Sequence, residues 1–228
     1  MIIVAILGLL FAAVIYIPQW WTRHVLIKHS QPNPSIPGTG AQFAEHLLGR
    51  LNITNVRVEE TQQGDHYDPM ERVVRLTPEN YHGNSLTAIV TAAHEVGHAS
   101  QHAEQYPPLM KRTLMVMHSQ HLEKLAGVAL LAFPFITYFT HSPLLGGLMV
   151  LAGALTMLSG VVVHLMTLPV EIDASFARAL PMLEKGSYLN QKDMKSARTI
   201  LKACAWTYVA SSLSSLLNVW KWLKALRR

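Results

Sequence analysis

The sequence His94-Glu95-Val96-Gly97-His98 contains two histidines four residues apart, with an acid directly after the first. On a helix, residues i and i+4 lie one above the other, so both imidazoles can hold a single metal ion. Glu95 lies beside that face, where its carboxylate can take a proton from water that the metal activates. The chain has 12 His, so a chance match is the alternative. The motif predicts one half of a zinc hydrolase site.

A helix over residues 85–104 is predicted around this motif. Ser85 is a suitable N-cap residue. An apolar stripe leads from it into the motif and consists of Leu86, Ile89, Val90 and Ala93. Because apolar residues at this spacing fall on one helical face, the two histidines are expected to project from a regular helix.

The composition is that of a hydrophobic chain. Of 228 residues, 50% are hydrophobic and 14% are charged, which is more apolar than an ordinary soluble domain and predicts a membrane protein. The formal charge of +5 is not carried by a basic run interleaved with aromatic residues, so we do not expect a nucleic-acid partner. The expected partner is instead the lipid bilayer, whose anionic inner leaflet attracts a basic protein. The single cysteine, Cys204, excludes an intrachain disulfide framework.

The apolar segments divide the chain into predicted regions. These are a transmembrane anchor over 1–19, a polar region over 20–124, a transmembrane helical hairpin over 125–168, a polar helical region over 169–200 and a last apolar helix over 201–228. The segment 203–220 is either a fourth span or an amphipathic helix lying in the interface. The fold class expected is therefore a mainly α membrane protein with a small α+β region and three or four transmembrane helices.

Charged residues flanking these segments predict the orientation. Lys and Arg follow the first span and precede the second, whereas the turn of the hairpin has none. The positive-inside rule therefore places the region 20–124 in the cytoplasm. A multi-pass protein of the bacterial inner membrane, with its active site on the cytoplasmic side, is expected.

The region before the metal helix has the pattern of a small α+β unit. A helix capped by Thr39 and two short strands, 55–60 and 71–77, precede the metal helix, as in the upper half of a zincin-type domain. A candidate strand for binding an extended substrate consists of Arg72, Val73, Val74 and Arg75. An internal strand without a substrate role is the alternative. The segment Asp65–Pro69 is predicted to be a turn rather than a metal site.

Two histidines leave a catalytic zinc one protein ligand short. His102 lies about two helical turns beyond His94, roughly 12 Å along the axis, so it cannot easily share the ion. A carboxylate that follows the hairpin is the better candidate. Glu171 is preferred and Asp173 is second, and the alternative role for Glu171 is an ion pair with Arg178.

Several motifs in order resemble the YugP-like family of neutral zinc metallopeptidases of bacterial membranes. They are Asp-His-Tyr-Asp-Pro at 65–69, Val-Arg-Leu at 74–76, Ala-Ala-His-Glu-Val-Gly-His-Ala at 92–99, Leu-Pro-Val-Glu-Ile-Asp-Ala-Ser at 168–175 and Thr-Tyr-Val-Ala at 207–210. The resemblance implies a membrane-anchored zinc endopeptidase that binds one Zn²⁺ through His94, His98 and Glu171, with Glu95 as general base. The order of the motifs is also similar to the integral-membrane gluzincins, which commonly have Asp where this chain has Ser175.

The function expected from the sequence is hydrolysis of peptide bonds in a peptide or membrane-protein substrate. A donor for the developing oxyanion is also needed. The candidates for this donor are Tyr208, Tyr188 and His164. If Asp173 is not itself a ligand, it is expected to hydrogen-bond to a ligand residue and so support the metal site. A catalytically inactive zinc-binding scaffold or chaperone is the alternative. Glu95 argues against it, since a purely structural site needs no base.

Overall fold

The computed structural model describes residues 2–140 and 142–206 of the chain. It is mostly helical and contains one small sheet. The elements are α1 (Ile2–Lys28), α2 (Gly40–Arg50), β1 (Arg57–Glu60), β2 (His66–Asp68), β3 (Val73–Leu76), α3 (Pro78–Tyr81), α4 (Leu86–Ala103), α5 (Pro107–Thr140), α6 (Pro143–Ile172), a π-helical segment (Asp173–Ala179), α7 (Leu180–Lys185) and α8 (191–206). The helical character and the small sheet expected from the sequence are both present.

The membrane part of the prediction is wrong. Among the residues described, no helix combines the length with the apolar character needed to cross a bilayer. A crossing helix needs roughly 20 consecutive, mainly apolar residues. The three or four predicted transmembrane helices, and the multi-pass inner-membrane location inferred from them, are corrected by this finding.

The sheet has the strand order β1-β3-β2. β1 runs parallel to β3, with Arg57 opposite Val73, and β2 runs antiparallel to β3, with Tyr67 opposite Val74. The central strand β3 therefore has a hydrogen-bonded neighbour on each side. The outer edges of the sheet belong to β1 and β2.

The predicted strands over 55–60 and 71–77 contain β1 and β3. The segment 65–69, predicted as a turn, contains β2 instead. Its dense Asp, His and Pro composition is typical of turns, and the alternation that would have indicated a strand is only three residues long. The Tyr67 side chain is buried and packs in the core.

Helix α4 lies at the centre of the fold. Its N-cap is Ser85, whose Oγ accepts a hydrogen bond of 3.1 Å from the backbone N–H of Ala88. Every residue from 86 to 101 is buried, and Glu95 is the only Asp, Glu, Lys or Arg among them. Helix α2, strands β2 and β3, and the π-helical segment all pack against it. Because so apolar a helix can be enclosed on several sides, its few polar residues lie in the protein interior.

The helices α5 and α6 pack against each other along their length. The Oγ atoms of Ser119 and Ser159 lie 3.2 Å apart in this contact. Since α5 leaves from the end of α4 and α6 returns after a short connection, the last turn of α6 lies back against α4. Glu171 is in that turn, and the chain continues directly into the π-helical segment.

The C-terminal half of α1 packs on the start of α4. The backbone carbonyl of Leu26 accepts a hydrogen bond of 2.8 Å from Thr87 Oγ1, and the Thr22 hydroxyl donates to the carbonyl of Ala203 in α8 at 3.1 Å. Helix α8 is described as far as residue 206, so the question of whether 203–220 forms a fourth span lies outside the described residues.

Candidate metal centre

His94 and His98 project from the same face of α4 into the interior. Their ring centroids are 4.8 Å apart and both side chains are almost fully buried. The Nε2 atom of each ring faces the same carboxylate oxygen: Glu171 Oε2 lies 3.2 Å from Nε2 of His94 and 3.3 Å from Nε2 of His98. The hairpin therefore brings the predicted third ligand to the two histidines.

The Glu171 carboxylate is removed from water, and the part of the chain that the structure describes offers it no hydrogen-bond donor. Its side chain is 0% exposed, and within the described residues neither carboxylate oxygen has a hydrogen-bond partner. Burial opposes its ionisation, but the His98 and His94 imidazoles outweigh this effect and lower the pKa of Glu171. A buried anion without donors is costly, unless a cation binds it.

The three side chains fit a zinc ion. One ligand atom from each of His94, His98 and Glu171 can be chosen so that all lie within 4.8 Å of one another. Tetrahedral zinc holds N and O ligands at about 2.0–2.1 Å, which separates neighbouring ligand atoms by roughly 3.3 Å. The two Nε2–Oε2 distances, 3.2 and 3.3 Å, match that separation. Three protein ligands leave one position open, as a catalytic zinc site requires.

The second ring nitrogen of each histidine also has a partner. His94 Nδ1 lies 3.1 Å from Ser175 Oγ, and His98 Nδ1 lies 3.0 Å from Gln101 Oε1. Both partners are fully buried. Such contacts orient a ligand imidazole with its Nε2 towards the metal. Gln101 is not among the site residues predicted from the sequence, although its position three residues after His98 on the same helical face could have indicated this contact.

Glu95 is buried next to the three ligand residues. Burial raises the pKa of its carboxyl to about 7, the negative charges of Glu171 and Asp65 add to the rise, and His94 and the backbone N–H of Tyr67 oppose it. A carboxylate with a pKa near neutrality can accept a proton and return it under the same conditions. The environment of Glu95 thus suits a general base.

The structure places Asp173 behind the centre rather than in it. Its Oδ2 accepts hydrogen bonds from Gln101 Nε2 at 2.8 Å and from Arg178 Nε at 2.7 Å. Arg178 also binds Glu104 and does not contact Glu171 in the interactions described. Of the two predicted third ligands, only Glu171 joins the histidine cluster.

Of the candidate oxyanion donors, the structure describes Tyr188 and His164. The Tyr188 hydroxyl is 2.7 Å from His46 Nε2, next to α2, in a contact that does not involve the centre. His164 is half-buried in α6, where burial lowers its pKa. Tyr208 lies outside the described residues. Within the part of the chain described, no contact joins Tyr188 or His164 to Glu95 or to the ligand cluster.

The predicted substrate strand has no free edge. Val73, Val74 and Arg75 belong to β3, which is paired on both sides, and Arg72 precedes it with a positive φ of 55°. Strand β2 packs on α4 and also forms an outer edge of this sheet. The Tyr67 hydroxyl of β2 lies 2.8 Å from His102 Nδ1, which engages His102 away from the metal ligands.

The carboxylates of Asp65 and Asp68, in the segment 65–69, both accept hydrogen bonds. Asp65 accepts from the backbone N–H of Thr77 at 2.7 Å and from the Asn80 amide at 2.8 Å. Asp68 Oδ1 accepts from the backbone N–H groups of Met70 and Glu71 at 2.8 and 3.1 Å. Both carboxylates are therefore engaged in hydrogen bonds, and among the described residues they are not part of the metal cluster.

The chain is similar to known proteins along nearly its whole length. Residues 2–227 match the family described as "Putative neutral zinc metallopeptidase". The chain is 35% identical over 219 residues to the "Putative membrane protease YugP" of Bacillus subtilis (strain 168), covering 95% of this chain and 91% of that protein. No solved structure matches the chain. Since the match covers nearly all of the sequence, the protein belongs to this family of neutral zinc metallopeptidases.

Proposed function

We propose that the protein is a zinc-dependent endopeptidase that binds one zinc ion through His94, His98 and Glu171. The observation that carries this proposal is the Glu171 carboxylate, which is fully buried, lacks a hydrogen-bond donor within the described residues, and faces both Nε2 atoms. Family membership supports zinc and peptide-bond hydrolysis. Internal cleavage of a peptide or protein chain is the finer part of the proposal.

When bound, zinc would supply a Lewis acid that polarises the scissile carbonyl and lowers the pKa of the attacking water to about 7. Glu95 accepts the proton of that water as the water attacks the carbonyl carbon. It then donates the proton to the leaving amine as the C–N bond breaks. Burial of Glu95 supports both steps, because it raises the carboxyl pKa to about 7.

The variant Glu95→Gln tests the role of the base. The substitution keeps the size of the side chain and touches no ligand atom, so the purified variant should retain zinc while its cleavage of casein falls by about 10²–10⁴-fold. Zinc is measured by atomic absorption and cleavage by release of labelled peptides. The matched control is Glu184→Gln, which changes an exposed acid paired with Arg198 and should leave both measurements unaltered.

Unchanged cleavage by Glu95→Gln would contradict the assigned role. Wild-type protein that holds zinc but cleaves none of a panel of unfolded and membrane-derived substrates would instead favour an inactive zinc-binding scaffold. Wild-type protein that binds no zinc would contradict the metal centre itself.

A further inference from the structure

Gln101 contacts both halves of the metal centre. It lies on α4, three residues after His98, and its side chain is 0% exposed. Its Oε1 is 3.0 Å from His98 Nδ1. Its Nε2 donates to the backbone carbonyl of Val170 at 2.8 Å and to Asp173 Oδ2 at 2.8 Å. Val170 directly precedes the ligand Glu171, so one amide joins the histidine helix to the segment that carries the carboxylate.

The partners of the amide determine its orientation. The Val170 carbonyl can only accept a hydrogen bond, and Asp173 Oδ2, which accepts from Arg178 Nε, is an acceptor as well. Both therefore require the NH₂ group of Gln101, which turns the amide oxygen towards His98. Because that oxygen only accepts, His98 must donate from Nδ1, which leaves the lone pair of the neutral ring on Nε2. The Nε2 atom is the one that faces Glu171.

Arg178 fixes the outer end of the same network. Its Nε donates to Asp173 Oδ2 at 2.7 Å, and its Nη1 donates to Ser100 Oγ at 2.8 Å and to Glu104 Oε1 at 2.7 Å. The Arg178 side chain is only 12% exposed. Since the guanidinium carries only donors, the Asp173 oxygen that it contacts acts as an acceptor.

We propose that Gln101 is a positioning residue of the metal centre: its single buried amide selects the metal-binding tautomer of His98 and holds the segment that presents Glu171. The inference rests on the proposed zinc site but concerns a residue outside the ligand set. A histidine ligand commonly has a carboxylate or a backbone carbonyl in this position. Here the neutral amide of Gln101 takes that role, and hydrogen bonds connect it to Asp173 and from there to Arg178.

The test is the zinc affinity of the metal-free, full-length protein, measured by competition with a chromophoric chelator. Gln101→Met keeps the length of the side chain but removes its donor and acceptor, and its zinc affinity should be about 10–100-fold weaker than that of wild type. Leu48→Ala is the matched control, because Leu48 is a buried core residue of α2 with no described contact to the centre. It should lose stability without a comparable loss of zinc affinity.

A second pair of variants tests the hydrogen-bond logic and covers the case in which Gln101→Met does not fold. Gln101→Glu places a carboxylate against two acceptors, Val170 O and Asp173, and should weaken zinc binding. Adding Asp173→Asn supplies an amide that can donate to the new carboxylate, so the double variant should recover part of the lost affinity. A residue that merely fills space would show no such recovery.

The outcomes separate this inference from the proposed function. If wild-type protein binds no zinc, the proposed function fails and the positioning role fails with it. If wild type binds zinc and the folded variants Gln101→Met and Gln101→Glu bind it equally tightly, the zinc site stands and the role of Gln101 is overturned. Weaker binding in both variants, with recovery in the double variant, supports the inference.

Discussion

Gly97 in the metal helix lies directly against the backbone carbonyl of Ala174 in the π-helical segment. A Cβ at position 97 would be 2.7 Å from that oxygen, closer than any relaxed contact allows. Ala174 is three residues after Glu171, and Gly97 lies between Glu95 and His98. The close approach of the two backbones is therefore what brings the Glu171 carboxylate within reach of His94 and His98.

Gly97→Ala should separate these two segments. We expect unfolding stability to fall by about 1–3 kcal/mol, because backbone atoms must move to admit the methyl group. Zinc affinity should fall as well, since Glu171 moves with the segment. Thermal unfolding and chelator competition measure the two effects. Gly49→Ala is the control: it is exposed on α2 with nothing within 4 Å of the added Cβ, and it should gain up to about 1 kcal/mol. Equal behaviour of the two variants would contradict the close-approach argument.

The two acids that follow the hairpin should differ in their effect on bound metal. Glu171→Gln keeps the volume of the side chain but removes the ligand charge, so the purified variant should lose most of its zinc. Asp173→Ala removes a hydrogen-bond acceptor behind the centre and should weaken zinc binding only about ten-fold. Metal content after gel filtration gives the order of the two effects. The reverse order would make Asp173 the ligand.

Ser175 should support the other histidine. Its Oγ lies 3.1 Å from His94 Nδ1, and no part of its side chain is exposed. Ser175→Ala leaves that ring nitrogen without its partner, so zinc affinity should fall by up to about ten-fold while the helical circular dichroism spectrum is retained. Ser35→Ala changes an exposed serine whose Oγ donates to Asn33 Oδ1 at 2.6 Å, and it should have no effect on zinc affinity. Unchanged affinity in Ser175→Ala would mean that His94 is oriented by packing alone.

Asp68 should make the sheet sensitive to acid. Burial acts to raise the pKa of Asp68, but the backbone N–H groups of Glu71 and Met70 and the Arg75 guanidinium outweigh it and lower that pKa below 3.8. A carboxyl whose pKa is lower in the folded state stabilises the protein above its unfolded pKa. This contribution is lost as pH falls through the folded value.

Asp68→Asn should therefore be less stable than wild type at neutral pH, and the difference should shrink as the pH falls below about 4. The charged carboxylate accepts hydrogen bonds from the backbone N–H groups of Glu71 and Met70 and pairs with Arg75, whose Nη1 lies 3.0 Å from Asp68 Oδ2, and the substitution would weaken all three interactions. Urea unfolding at a series of pH values measures the difference. A difference that stays constant with pH would show that the neutral hydrogen bonds of Asp68, and not its charge, provide the stability.

The composition led to one wrong conclusion. Long runs of apolar residues predict hydrophobic helices, and α5 and α6 are helical where the hairpin was expected. A high share of apolar residues does not by itself establish that a helix crosses a bilayer. In the described residues no helix meets that requirement. The strand β2 was missed for a different reason, because three residues are too few for a periodic signal and pairing with β3 is what makes them a strand.

The sequence alone determined the helix that carries His94, Glu95 and His98, since an N-cap, an apolar stripe and a four-residue spacing are all local properties of the chain. It also narrowed the third ligand to two acids, because few carboxylates follow the hairpin. Only the tertiary structure decided between those acids, gave Gln101 its contact with His98, and enclosed β3 between two neighbours. These are contacts between segments distant in the chain, and they depend on backbone approach and side-chain direction, which residue spacing does not record.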